Sequence, residues 1–178
     1  MKNISIVTLF IATFGFGQTE VSGIISSNTT WTLANSPYIV TGNILLNEGI
    51  TLTIEAGVTV KFYADKAFQI QGELIAQGTD GNEITFTSNE SSPAVGDWGP
   101  LTFNDSSVDA TFDGDGNYSS GSIFEYCIIE YGKGVTMADV TPFLYYSTLR
   151  YNNYRVINAT MSGSSSGTLK IKNCDIHD

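Results

Sequence analysis

Glu130, Arg150 and His177 are the residues of this chain whose types and spacing suggest chemistry. They occupy the fifth position of three hexapeptides, YCIIEY (Tyr126–Tyr131), YSTLRY (Tyr146–Tyr151) and NCDIHD (Asn173–Asp178), whose starting points lie 20 and then 27 residues apart. If the hexapeptides are neighbouring rungs of a parallel sheet, equivalent residues stand about 4.8 Å from one another. An acid, a guanidinium and an imidazole then stack in one outward column, and Tyr131 stacks on Tyr151. That column has two readings. Glu130, Tyr131, Arg150 and Tyr151, with Tyr154, would form a carbohydrate-contacting stripe, the rings covering sugar faces and the charges binding hydroxyls. Alternatively, the same residues make an exposed ion pair beside a tyrosine ladder, worth about 0.2–1 kcal/mol per pair.

Catalysis asks for more than the column supplies. A polysaccharide lyase needs a base beside the substrate carboxylate, and a hydrolase needs two acids at a set separation. Arg150 or Arg155 has the type for a base and His177 is the single histidine, yet Glu130 and Asp178 are the only acids converging on them. No catalytic residue is therefore assigned, and whether the chain is an enzyme stays open. A second constellation is DGDGNY (Asp113–Tyr118), in which Asp113, Asp115 and Asn117 present oxygens at alternate positions, as calcium loops do. The sixth position is Tyr118 rather than glycine, and the twelfth is Phe124, with Glu125 following. These three residues are the candidate metal ligands and calcium the candidate cofactor; the other reading is a solvated Asp-Gly turn.

Short strands must position these residues. GITLTIEAGVTVKF (Gly49–Phe62) holds two alternating runs around a three-residue corner, and similar runs recur: Tyr38–Leu46, Ala67–Gly72, Glu83–Ser88, Pro100–Phe103, Ile123–Tyr131, Pro142–Tyr151 and Gly167–Ile176. Polar insertions at Asn89–Gly96, Asp105–Ser122 and Met161–Ser166 read as loops, because the pattern resumes after each. In the aligned hexapeptides Cys127, Ser147 and Cys174 are small, while Ile129, Leu149 and Ile176 are aliphatic. A repeat of twenty-odd residues built from short strands is the pattern of a solenoid of stacked coils. The Asp80-Gly81 pair leaves an antiparallel sandwich open on pattern alone. With the Ser147 rung between them, Cys127 and Cys174 stand two strand spacings apart, about 9–10 Å and too far for a disulfide. Two buried free thiols are expected.

The blocks WTLANSPYIVTGNILLNEGITLTIEAGVTVKF (Trp31–Phe62), GELIAQGTDGNEITFTS (Gly72–Ser88) and GDWGPLTF (Gly96–Phe103) resemble the start of secreted bacterial right-handed parallel β-helix proteins of the pectin-lyase-like group. The resemblance implies an all-β, right-handed parallel β-helix solenoid with an N-terminal cap. The cap falls over 18–37 and the coils over 38–178. It implies less about activity, since that group includes lyases, glycoside hydrolases and surface proteins.

Residues 1–17, MKNISIVTLFIATFGFG, pair a lysine with an apolar stretch too short to cross a bilayer and end in small residues, the pattern of a secretory signal peptide. A secreted or cell-surface protein with no membrane span in the mature chain is expected. The formal net charge of −10 repels phosphate backbones, so nucleic acid is excluded as a partner. An acidic glycan would need a cation or a local basic patch. Because NCDIHD falls inside a rung, continuation into further coils or end-to-end self-association is expected. The functional expectation is a non-catalytic scaffold that binds polysaccharide or cell-surface glycan or acts as an adhesin. The alternative is a polysaccharide lyase or glycoside hydrolase whose active site lies in further downstream coils.

Overall fold

The computed structural model describes residues 17–153, 156–162 and 167–177. Most of the expected signal peptide, Tyr154, Arg155 and Asp178 lie outside them. The chain enters with β1 (Thr19–Ile25) and β2 (Thr29–Trp31) and, after one 3-10 turn at Leu33–Asn35, runs into β3 (Tyr38–Leu46). Two regular coils follow: β4 (Thr51–Ile54), β5 (Thr59–Phe62) and β6 (Phe68–Ile70), then β7 (Glu73–Gln77), β8 (Ile84–Ser88) and β9 (Leu101–Phe103). A hairpin, β10 (Thr111–Phe112) and β11 (Tyr118–Ser120), intervenes before β12 (Ile123–Glu125), β13 (Cys127–Glu130) and β14 (Val135–Ala138). The last coils carry β15 (Phe143–Tyr145), β16 (Thr148–Arg150), β17 (Ile157–Thr160), β18 (Ile171–Lys172) and β19 (Asp175–His177).

These strands wind as a right-handed parallel β-solenoid of about seven turns with three faces. Face one stacks β2, β4, β7, β12, β15 and β18. The second and third faces belong to one sheet because β3 bends round a corner: its first half pairs with β5 at Tyr38–Val60, its second with β6 at Ile44–Phe68. Face two continues through β8, β13, β16 and β19, and face three through β9, β14 and β17. The segment 18–37 contributes windings of the same kind, since β1 pairs in parallel with β3 and β2 with β4.

The core follows from strand alternation. Trp31, Ile54, Ala76, Phe124 and Leu144 form one buried column on face one, and Val60, Phe86, Ile129 and Leu149 form one on face two. Leu46, Ile70, Phe103 and Met137 fill face three. Each large aliphatic or aromatic side chain buried this way contributes about 1.5–3 kcal/mol. Phe62 stacks on Trp98 with ring centres 4.2 Å apart, and the Trp98 indole N–H donates to the Glu130 carbonyl at 2.9 Å.

Four expectations need correction. The runs 123–131, 142–151 and 167–176 are each two strands on different faces, broken at Tyr126, Tyr146 and Asn173, which adopt φ of 46°, 46° and 56°. A single left-handed residue turns the chain through the corner, and tyrosine hides this because it is a good strand former. Asp105–Ser122 is not simply a loop, since it contains the β10–β11 hairpin. Asp80-Gly81 does sit in a tight turn bridged antiparallel at Thr79 and Asn82, but that turn joins two faces of one coil. Cys127 and Cys174 are free thiols as expected, yet only Cys127 is buried; Cys174 is half-buried. Sequence reading also missed β14 and β17.

Candidate functional site

On face one the outward positions are apolar where polar residues would be ordinary. Ile75, Ile123 and Phe143 stack in register, and both Ile123 and its inward neighbour Phe124 are buried, as are Phe143 and Leu144. A strand buried on both sides needs a cover, and the β10–β11 hairpin supplies it. Phe112 meets Phe143 edge-on with centres 5.1 Å apart, and Tyr118 lies over the same ring at 6.3 Å. The hairpin is rooted by Asp109, whose Oδ1 accepts from the Thr141 N–H at 2.6 Å and the Thr141 hydroxyl at 2.8 Å. Its other root is Gly121, whose N–H donates to Glu73 at 3.2 Å and whose carbonyl accepts from the Tyr118 hydroxyl at 2.6 Å.

Between hairpin and sheet runs a cleft of about 400 Å³, walled by Tyr118, Phe143, Tyr145, Glu125, Lys170 and Lys172 among others. Its floor follows from register: Glu125, Tyr145 and Lys172 line it as one outward column, which Gln77 continues beyond the cleft. Phe143 and Tyr145 stack at 5.0 Å. The Lys170 ammonium lies 3.4 Å from the centre of the Phe112 ring, and that of Lys172 5.7 Å from Tyr145, so two cations are held on ring faces in an otherwise acidic protein. Glu125 accepts a hydrogen bond from the Gln77 amide at 2.8 Å. Sequence reading missed this cleft. Its trace in the chain is the paired apolar residues Ile123-Phe124 and Phe143-Leu144, which break alternation on strands that otherwise keep one polar side.

Burial, reinforced by Glu73 and Glu125, pushes the Tyr118 phenol up to about 12. The folded value exceeds the unfolded value of about 10, so folding favours the neutral phenol. This contribution to stability is complete below about pH 10 and is lost as pH rises through about 12. Alkaline titration followed by phenolate absorbance is expected to show a late step near pH 12 that Tyr118→Phe abolishes. A titration unchanged by that substitution would contradict the assignment.

Four residues of the expected stripe, Glu130, Tyr131, Arg150 and Tyr151, stand on face two as their spacing implied, while Tyr154 lies outside the described residues. Glu130 pairs with Arg150 and Arg150 with His177 in register, and Tyr131 stacks on Tyr151 at 5.3 Å. The Glu130 carboxylate is engaged inside the protein: Oε1 accepts from the Thr87 hydroxyl at 2.9 Å and Oε2 from Arg150 Nε at 2.8 Å. That bond raises the Arg150 pKa further. The Arg150 guanidinium lies 5.6 Å from the Tyr151 ring centre. What the stripe offers solvent is the Tyr151 ring together with parts of the Arg150 and His177 side chains, while Tyr131 is half-buried.

Asp113, Asp115 and Asn117 form the tip of the hairpin. Asp113 Oδ1 accepts from the Asp115 and Asn117 N–H groups at 3.0 and 2.8 Å, and Oδ2 from the Asn117 amide at 3.1 Å. The Asn117 bonds hold the Asp113 carboxyl below its ordinary value. Both oxygens thus close an Asp-Gly turn, and among the described residues no group of three His, Cys, Asp or Glu side chains is placed to hold a metal ion.

A family model described as a pectate-lyase like beta helix domain matches residues 23–160. No curated protein and no solved structure matches the chain.

Proposed function

This chain belongs to the pectate-lyase-like β-helix domain family, and from that premise we propose that it is an exported, surface-exposed scaffold that binds a glycan in the cleft beneath the β10–β11 hairpin. The observation that carries this reading is the composition of the cleft wall: Tyr118, Phe143 and Tyr145 beside Lys170, Lys172 and Glu125. Aromatic rings with a polar edge bury the C–H faces of sugars while the charged groups bind hydroxyls or carboxylates, and the volume lies in the range of ligand sites. Lys170 and Lys172 supply the local positive charge that an acidic glycan requires against a net charge of −10. Binding is preferred to hydrolysis because Glu125 is the one carboxylate among the described residues lining the cleft, whereas glycoside hydrolysis uses two.

The test is calorimetric titration of the mature protein with uronic-acid and neutral oligosaccharides, with and without calcium. Tyr145→Ala and Lys172→Ala are expected to weaken binding about tenfold each, the equivalent of about 1.4 kcal/mol. Absence of binding to every oligosaccharide, or binding that ignores both substitutions, would overturn the assignment of the cleft. Release of shortened or unsaturated products would replace the scaffold reading with the enzyme reading.

A further inference from the structure

Seven described residues other than glycine have positive φ. Three are Asp65, Asp139 and Asn173, types that tolerate the left-handed region. The other four are tyrosines: Tyr126 and Tyr146, both at 46°, Tyr131 at 61° and Tyr151 at 52°. A bulky residue there is an outlier, and such outliers gather where a ligand is clamped. Asn173 fills the position of Tyr126 and Tyr146 one coil further on, so the corner itself does not require a ring.

The four rings form two short ladders. Tyr126 stacks on Tyr146 with centres 5.0 Å apart and planes 8° apart at the corner between faces one and two, and Tyr131 on Tyr151 at the far end of face two. Tyr146 and Tyr151 are 42% and 40% exposed, which leaves ring surface free for contact. The first ladder joins the cleft directly, since Tyr145 touches Tyr146 at 4.4 Å and stacks on Phe143. Ring surface therefore runs from the cleft to the corner and resumes at the far end of β13 and β16, beyond the outward pairs Ile128–Thr148 and Glu130–Arg150. At the strand rise, five residues separate the ladders by about 16 Å.

We infer that the glycan path does not end in the cleft but turns over Tyr146 and Tyr126 and reaches Tyr151 and Tyr131, so that a long chain lies around one coil, transverse to the solenoid axis. This rests on the cleft reading above. The ligand it implies is a polymer or long oligomer rather than a mono- or disaccharide, because it must bridge both ladders.

The test is the affinity of the full mature protein for short and long members of two oligosaccharide series, oligouronates and cello-oligosaccharides. Affinity is expected to rise with length in the series that binds. Tyr146→Asn and Tyr151→Asn, which keep a residue suited to positive φ, are expected to lower long-oligomer affinity about tenfold and leave short-oligomer affinity unchanged, with melting temperature unchanged or raised. Tyr145→Ala, inside the cleft, is expected to weaken both. If Tyr145→Ala weakens binding while the two asparagine variants bind long oligomers normally, the transverse path is wrong and the cleft stands. If long and short oligomers bind equally, the path is likewise wrong. If no member of either series binds, both readings fall.

Discussion

Gly121→Ala is expected to reduce glycan affinity at least about tenfold and to bring the Tyr118 phenol back towards an ordinary value. Gly121 sits at φ +96°, and a Cβ there would fall onto the Asp109 carbonyl. The obstacle is backbone, so the hairpin root must move. Strain at that φ and the clash each cost about 1–3 kcal/mol. The displaced root carries Tyr118 with it, because the Tyr118 hydroxyl donates to the Gly121 carbonyl, and the cleft loses one wall. Alkaline titration reads this without any ligand, and calorimetry reads it with one. Gly114→Ala, at the tip of the same hairpin, is the control, since its added Cβ meets nothing within 4 Å. A Gly121→Ala protein that retained both full affinity and the late phenol step would mean that the hairpin does not form the cleft.

Phe124→Ala is expected to destabilise the protein by about 3–5 kcal/mol, the range for removing a buried aromatic ring from a core. Phe124 is fully buried on face one, and its ring meets Phe86 of face two and Phe103 of face three edge-on, at 5.8 and 5.7 Å. It is one of the points at which all three faces touch within the solenoid, as Trp31 is nearer the N-terminus. For a chain of this size each kcal/mol moves the midpoint by about 2–4 °C. Since a coil contacts only its neighbours, the defect is also expected to uncouple the halves on either side, splitting one unfolding transition into two. Scanning calorimetry checks both. A loss below about 1 kcal/mol with a single sharp transition would mean that neighbouring side chains collapse into the space, and that this aromatic contact is not the seam of the core.

The two sites differ in how far they could be read from the chain. The face-two stripe was legible because its contacts depend on register alone: once the hexapeptides align, Glu130 must lie beside Arg150 and Tyr131 beside Tyr151, and they do. The corners were less so. Inward residues run 124, then 127 and 129, and again 144, then 147 and 149. The step of three among steps of two marks the single left-handed residue, but at Tyr126 and Tyr146 the residue type speaks for strand and masks the break.

By itself, the order of residues determined the rung register, the free state of both cysteines and the outward column on face two, and pointed to a solenoid, with the antiparallel sandwich set aside by the parallel pairing of the strands. Each of these follows from alternation and repeat length, which are local or periodic along the chain. Tertiary structure alone decided that the insertion at 105–122 folds back as a hairpin over face one, and that Lys170 meets Phe112 across it. Tyr118 is brought over Phe143 and shielded from water by the same folding. Those contacts join segments with no shared period. Their geometry is set by where Asp109 and Gly121 anchor an irregular stretch against Thr141 and Glu73, and no repeat encodes such an anchor.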